Sequence, residues 1–203
     1  MAHQSTHYTI KGLANVALGL FCLSAMAMGT AGYAGSGFGI VSRWQIQIGL
    51  SFLAWAYGLL ALCFIKAEDG ALTGYIGIVL LIVAGLEAQL AAIFLSYSPS
   101  QGLQLDYINE HTALAVAMAC ILSALFMLTV SLNSRGDWSL EYHAAVILTV
   151  FMISAYGASM LVSLRLRNVC DIMFAVCMFA WCAIVCFRLR ELASSRSVIP
   201  LEL

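Results

Sequence analysis

Glu87 is the residue whose position most clearly predicts chemistry, because it is ionisable and lies near the middle of a long apolar segment. Ionisable side chains within a membrane are energetically costly and usually functional. The neighbouring Ala84, Ala88 and Ala92 form a stripe of small residues that favours close packing against another helix. We therefore expect Glu87 to face the helix bundle, either as a proton or substrate site or as a protonated carboxyl group bonded to a neighbouring helix.

A second set of ionisable residues lies at the predicted non-cytoplasmic ends of the helices and comprises Glu110, His111, Asp171, Arg165 and Arg167. These residues could form a vestibule whose charge changes near neutral pH, because histidine titrates in that range. The alternative, which we favour, is that they are interfacial caps and solvated turns.

Two tyrosines occupy matching positions in a candidate internal repeat. When the chain is displaced by 99 residues, Leu23-Ser24-Ala25 falls on Leu122-Ser123-Ala124, and Ala56-Tyr57-Gly58 falls on Ala155-Tyr156-Gly157. Units of three helices each, over residues 12–97 and 112–190, would be inverted relative to one another, as in many transporters. Tyr57 and Tyr156 could then line a central path with hydroxyl groups. Chance similarity between apolar helices, with both tyrosines in core packing, is the alternative.

The motifs of several membrane enzymes are missing from the sequence. It has no paired histidines for a membrane cytochrome, no Gly-x-Ser-Gly turn of an intramembrane protease and no phosphate-binding glycine loop. The seven cysteines form no CxxC motif and are expected to act as small buried apolar residues. We predict that the protein is not an enzyme and uses no cofactor or metal. A net charge of −1 without a basic run also argues against nucleic acid binding.

The composition requires lipid as the main solvent of the chain. Hydrophobic residues make up 63% of the 203 residues and charged residues only 9%, and the mean hydropathy is +0.96. Soluble domains carry about 25% charged residues, and a soluble fold of this size could not bury so much apolar surface. We therefore predict an all-α polytopic membrane protein that forms a single transmembrane domain over residues 1–203.

Six segments are long and apolar enough to cross a bilayer, which needs about 20 residues per helix. Helices are expected because a backbone in lipid must satisfy its own hydrogen bonds. The longest connection is predicted at Ser96–Asn109, and a short polar turn at Arg165–Asn168. The six predicted spans are Gly12–Ala34, Gln45–Lys66, Ala71–Tyr97, Thr112–Leu132, Ala144–Leu164 and Val169–Phe187.

The distribution of lysine and arginine predicts that both termini are cytoplasmic. With six helices, the termini share one side of the membrane with the second and fourth connections, and that side carries six of the nine basic residues. The sequence does not distinguish the plasma membrane from an organelle membrane. The six basic residues on the predicted cytoplasmic side are Lys11, Lys66, Arg135, Arg188, Arg190 and Arg196, and those opposite are Arg43, Arg165 and Arg167.

Three short stretches carry a family resemblance. Ala14–Leu20 resembles the Asn-Pro-x-Pro-Leu-Gly-Leu with which the first helix of the acetate uptake transporter family begins, since it keeps the Leu-Gly-Leu but has neither proline. Ser195–Pro200 is similar to the segment that follows the sixth helix of that family, and Leu148–Val150 matches a Leu-Thr-Val in its fifth helix. With the layout of six helices in about 200 residues, the chain resembles this family.

The resemblance implies proton-coupled uptake of small carboxylates, such as acetate, by a hexamer in which each subunit has its own path. That path would narrow at apolar side chains of the first, third and fifth helices. Leu148 matches a motif position in the fifth helix. Either Phe21 or Leu23 would be the member from the first helix, and Leu81 falls near the third-helix position of the family.

Two functional hypotheses remain from the sequence. The first is a transporter or channel for a small anionic solute, in a lipid bilayer and as a homo-oligomer. The alternative is a non-catalytic structural or accessory subunit of a larger membrane complex, which the scarcity of polar groups within the spans would favour. A transporter should have a path through each subunit, whereas a structural subunit should be solidly packed.

Overall fold

The computed structural model is entirely helical wherever it describes the chain, which confirms the predicted all-α class. It describes residues 2–33, 40–67, 72–96, 103–133, 139–161 and 164–195. Each of these ranges is one helix, and each helix contains a segment long and apolar enough to cross a membrane. The helices are α1 (Ala2–Tyr33), α2 (Ile40–Ala67), α3 (Leu72–Ser96), α4 (Leu103–Asn133), α5 (Ser139–Leu161) and α6 (Leu164–Ser195).

The helices are longer than the apolar spans that they contain. The predicted connection at Ser96–Asn109 is wrong in its second half, because α4 begins at Leu103. The predicted turn at Arg165–Asn168 is also wrong, since α6 begins at Leu164 and continues through these residues. Hydropathy locates the part of a helix that lies in hydrocarbon, but backbone hydrogen bonding continues into polar residues beyond it.

The six helices form a closed ring. Each helix packs against the next along the chain, and α6 packs against α1. The contact between α4 and α5 is the smallest of the six, whereas α3 with α4 and α1 with α2 make the largest. An ion pair joins Arg188, near the end of α6, to Glu141, near the start of α5, with Nε and Oε1 3.4 Å apart.

Glycines allow the closest helix approaches. A Cβ atom at Gly77 of α3 would lie 2.7 Å from Cγ of Leu128 in α4, and one at Gly85 would lie 3.1 Å from the carbonyl oxygen of Ala54 in α2. Gly49 of α2 meets α1 in the same manner. Because apolar burial drives little association between helices in lipid, close packing and hydrogen bonds at small residues hold such bundles together.

Large apolar side chains cover the outside of the ring. Trp55 is 68% exposed and Leu86 62% exposed, and every other helix presents similar residues. These exposures are measured in the isolated chain, so lipid or other protein covers these side chains in a membrane. The fold therefore defines an integral, multi-pass membrane protein.

Residues at matching positions of the two candidate repeat units differ in burial. Ser24 is buried and donates a hydrogen bond to the carbonyl oxygen of Gly49 over 2.8 Å, whereas its counterpart Ser123 is exposed. Tyr57 is buried and its counterpart Tyr156 only partly so. The inverted repeat accordingly remains a prediction from the sequence.

Candidate functional site

The predicted path residues converge on the core of the ring, with one exception. Phe21, Tyr57 and Leu81 are buried members of a single apolar cluster. Leu148 and Tyr156 are partly buried and pack against that cluster. Leu23, the other candidate from the first helix, is 47% exposed and faces outward.

Tyr57 connects three helices within this core. Its hydroxyl group donates a hydrogen bond to the sulfur of Met178 in α6 over 2.8 Å. Its ring meets that of Phe21 in α1 edge-on, with centroids 5.6 Å apart. Thioether sulfur is a weak acceptor, so the tyrosine hydroxyl is held more by packing than by a strong hydrogen bond.

A polar cluster joins α4, α5 and α6. The indole N–H of Trp181 donates to the hydroxyl oxygen of Thr129 over 3.0 Å. The hydroxyl oxygens of Thr129 and Thr149 lie 3.2 Å apart. All three residues are buried. Hydrogen bonds of this kind link transmembrane helices where water is excluded.

The two threonine hydroxyl groups have more acceptors than protons. Each threonine oxygen also lies 2.7 Å from a carbonyl oxygen one turn earlier, that of Leu125 for Thr129 and that of Ala145 for Thr149. Two hydroxyl protons cannot serve all three contacts at once. Three proton arrangements are therefore possible: each threonine donates to its own carbonyl, or one threonine donates to the other while the second donates to its carbonyl.

Glu87 lies at an edge of the bundle and not at its centre. Ala84, Ala88 and Ala92 are buried as the small-residue stripe predicts, but Glu87 is only partly buried and follows the exposed Leu86. It interacts electrostatically with Cys120 of α4. Its carboxyl group therefore lies beside the α3–α4 contact, within the predicted span and near the lipid-facing surface.

The structure describes only part of the predicted vestibule. Glu110 and His111 lie on α4, and Arg165 and Arg167 lie on α6, but the side chains of all four fall outside the described residues. Asp171 is partly buried on α6. Among the residues described, no group of three or more histidine, cysteine or acidic side chains could hold a metal ion.

Four amide side chains within the predicted spans were not assigned to a site by the sequence, namely Asn15, Gln45, Gln47 and Gln89. Gln45 on α2 and Gln89 on α3 are partly buried, and Asn15 on α1 is exposed. The side-chain oxygens of Gln45 and Gln89 are buried, and within the described part of the chain they accept no hydrogen bond. An amide within an apolar span is a signal that sequence reading could have used, because such groups need partners in lipid.

The fold and these groups define the class of the protein as a polytopic α-helical membrane protein with a closed, largely apolar core. Comparison of the chain with protein-family models, with curated protein sequences and with solved structures finds no match. The resemblance to acetate uptake transporters thus stays a prediction from three short motifs.

Proposed function

We propose that the protein is a transporter or channel for a small solute, and that it takes up a short-chain carboxylate such as acetate together with protons. The observation that carries the proposal is that Phe21 of α1 and Leu81 of α3 belong to the main apolar core and that Leu148 of α5 packs against it. In this proposal, the cluster closes a path through the ring of six spans. Tyr57 forms part of the same closure.

The core has no ionised side chain among its described buried residues, which favours passage of the neutral acid over its anion. The buried polar residues among those described are Ser24, Thr129, Ser131 and Thr149, none of which is ionised. An anion in such a core would be strongly disfavoured unless protonated. Glu87, beside α4, is the proposed group that exchanges the proton. Both termini are proposed to be cytoplasmic and the assembly a homo-oligomer, a hexamer if the family resemblance holds.

Uptake of radiolabelled acetate into proteoliposomes, with and without an inward proton gradient, tests the proposal. We expect gradient-stimulated uptake from the wild type and loss of the stimulation in Glu87→Gln. The matched control is Glu191→Gln, at an exposed glutamate in the last turns of α6. Uptake by Glu87→Gln that keeps its full pH dependence would remove Glu87 from the coupling role, and no uptake by folded wild type would remove the transport proposal.

A second pair of variants tests whether the central cluster is the constriction of the path. Leu81→Ala removes a fully buried side chain from the central cluster, and Leu86→Ala removes the same atoms from the outer surface. If the cluster is the constriction, only Leu81→Ala should change the uptake rate or admit larger acids. Equal effects of both variants would mean that the path lies elsewhere.

The accessory-subunit function is the second candidate, and the packing of the core favours it. Trp181, Tyr57 and Met178 fill the middle of the ring with large buried side chains. Polar groups of Asn15 and Glu87 lie on or near the outer surface, where another chain could bind them. Purification from the native membrane in mild detergent, followed by mass spectrometry, would favour this candidate if other membrane proteins accompany the chain in fixed ratio.

A further inference from the structure

Two buried amide oxygens on α2 and α3 accept no hydrogen bond from the residues that the structure describes. They are Oε1 of Gln45 and Oε1 of Gln89. Each belongs to a predicted membrane span, where lipid cannot supply a hydrogen bond. A buried acceptor left without a donor is destabilising, so these two groups are suited to a ligand that brings its own donor.

The two glutamines lie on either side of a small apolar cluster. Leu50 of α2 packs there with Ala91 and Ala92 of α3. Gln45 precedes this cluster on α2, toward the start of the helix, and Gln89 precedes it on α3, toward the main core. The cluster is separate from the main core. Along the α2–α3 contact, the order is therefore Gln45, the apolar cluster and Gln89.

Close packing between α1 and α2 fixes one wall of this region. The Ser24 hydroxyl group donates to the carbonyl oxygen of Gly49, and the Cγ atom of Met28 would lie 2.6 Å from a Cβ at Gly49. Met28 also packs against the small apolar cluster. The region between the glutamines is thus bounded by α1 as well as by α2 and α3.

We infer that Gln89 binds the undissociated form of a short-chain carboxylic acid. Gln45, nearer the start of α2, is a second group that can bind it. The inference rests on the proposed function and names the form of its substrate. A carboxamide presents one acceptor and two donors. A protonated carboxylic acid can donate its O–H to the amide oxygen and accept an amide N–H at its carbonyl oxygen, whereas an ionised carboxylate has only acceptors to offer the unpaired oxygen.

The described segments of α2 and α3 around the two glutamines are uncharged. Residues 45–54 of α2 and 88–94 of α3 include no titratable side chain. On α1, Cys22 is the titratable residue of the facing segment, and it is exposed. Glu87 lies on the α4 side of α3, where it interacts with Cys120, whereas Gly85 marks the face toward α2. Among the side chains that the structure describes in these segments, none carries a positive charge that would favour the anion. Arg43, two residues before Gln45, has a side chain outside the described part.

Binding of radiolabelled acetate and butyrate to the purified protein in detergent, by a scintillation proximity assay between pH 4.5 and 7.5, tests the inference without transport. For the wild type, the apparent Kd for total acid should rise about tenfold per pH unit above pH ~5, because carboxyl groups of this kind ionise at about pH 4–5. Gln89→Leu should weaken binding about tenfold at every pH. Gln47→Leu is the matched control at a neighbouring, partly buried glutamine that has no buried unpaired oxygen.

Gln89→Met keeps the length of the side chain without its amide. It provides a second test if Gln89→Leu does not fold. Absence of binding by folded wild type, binding that does not depend on pH, or equal affinity in the Gln89 and Gln47 variants would each overturn the inference. Acid binding without any uptake by proteoliposomes would instead overturn the proposed function and leave the site in place. Uptake that is unchanged in both Gln89 variants would overturn the site alone.

Discussion

The indole nitrogen of Trp181 lies 3.0 Å from the hydroxyl oxygen of Thr129, and this hydrogen bond crosses the ring from α6 to α4. These two helices are not neighbours in the order of the ring, since α5 separates them. The contact can form because the indole is long enough to reach across the core and is completely buried there. The hydrogen bond fixes the rotation of α6 relative to α4. This matters because the contact between α4 and α5 is the smallest in the ring.

Replacing Trp181 by phenylalanine should destabilise the protein. The change removes the N–H donor and part of a buried side chain, which together cost about 1–3 kcal/mol. Reversible unfolding in mixed detergent and dodecyl sulfate micelles measures the free energy of unfolding. Trp55→Phe, at a tryptophan that is 68% exposed, is the control and should change it little. Equal losses in the two variants would contradict the role of the hydrogen bond.

The two threonines should be energetically coupled. Thr129→Val and Thr149→Val keep the shape of the side chain while removing one hydroxyl group each. We expect Thr129→Val to cost more, because its oxygen also accepts from Trp181. A double-mutant cycle should give a coupling energy of about 0.5–1.5 kcal/mol. Strictly additive losses would mean that the 3.2 Å contact contributes no hydrogen bond.

Gly77→Ala should separate α3 from α4. The added Cβ would lie 2.7 Å from Cγ and 3.1 Å from the backbone nitrogen of Leu128, so one of the helices must move. Overpacking of this kind costs about 1–3 kcal/mol. Gly157→Ala on α5 is the control, since a Cβ there meets nothing within 4 Å and alanine favours a helix. The same unfolding assay should show a loss for the first variant and none for the second.

The sequence predicts the spans well because the membrane imposes a single strong rule, that about 20 apolar residues must be helical. All six predicted spans overlap the observed helices. It does not predict which side of each span faces inward, because lipid and core are both apolar. Phe21 and Leu23 are equally apolar, yet one is 2% exposed and the other 47%.

Glu87 shows why a candidate site is harder to predict than a span. The stripe of alanines correctly identified a packed face of α3, but Glu87 falls at the edge of that face, beside Cys120. Successive residues of a helix point about 100° apart, so neighbours such as Glu87 and Ala88 can face different surroundings. Likewise, the bond between Thr129 and Trp181 joins residues 52 positions apart, and no local pattern encodes it.

Asn15 should contribute to self-association. It is exposed on α1 within the apolar span, and on the same face Gly12 and Gly19 leave open space around their Cα atoms. A carboxamide offers both donors and an acceptor, so it can pair with the same group of a second copy, and such interhelical bonds contribute about 1–2 kcal/mol. Asn15→Leu should therefore weaken the oligomer about fivefold to thirtyfold, as measured by energy transfer between labelled chains in liposomes at varied protein density.

The control for this variant is Val16→Leu, at the next residue of α1, which is 54% exposed and apolar before and after the change. It should leave the association constant unchanged. If both variants associate like the wild type, the copies meet through another face, and the lipid-exposed surface of α5, which includes Ile147, Val150 and Phe151, would be the next to alter. If the wild type is monomeric at every density, α1 makes no homotypic contact, and the polar face of Asn15 would then favour the accessory-subunit function with a different partner.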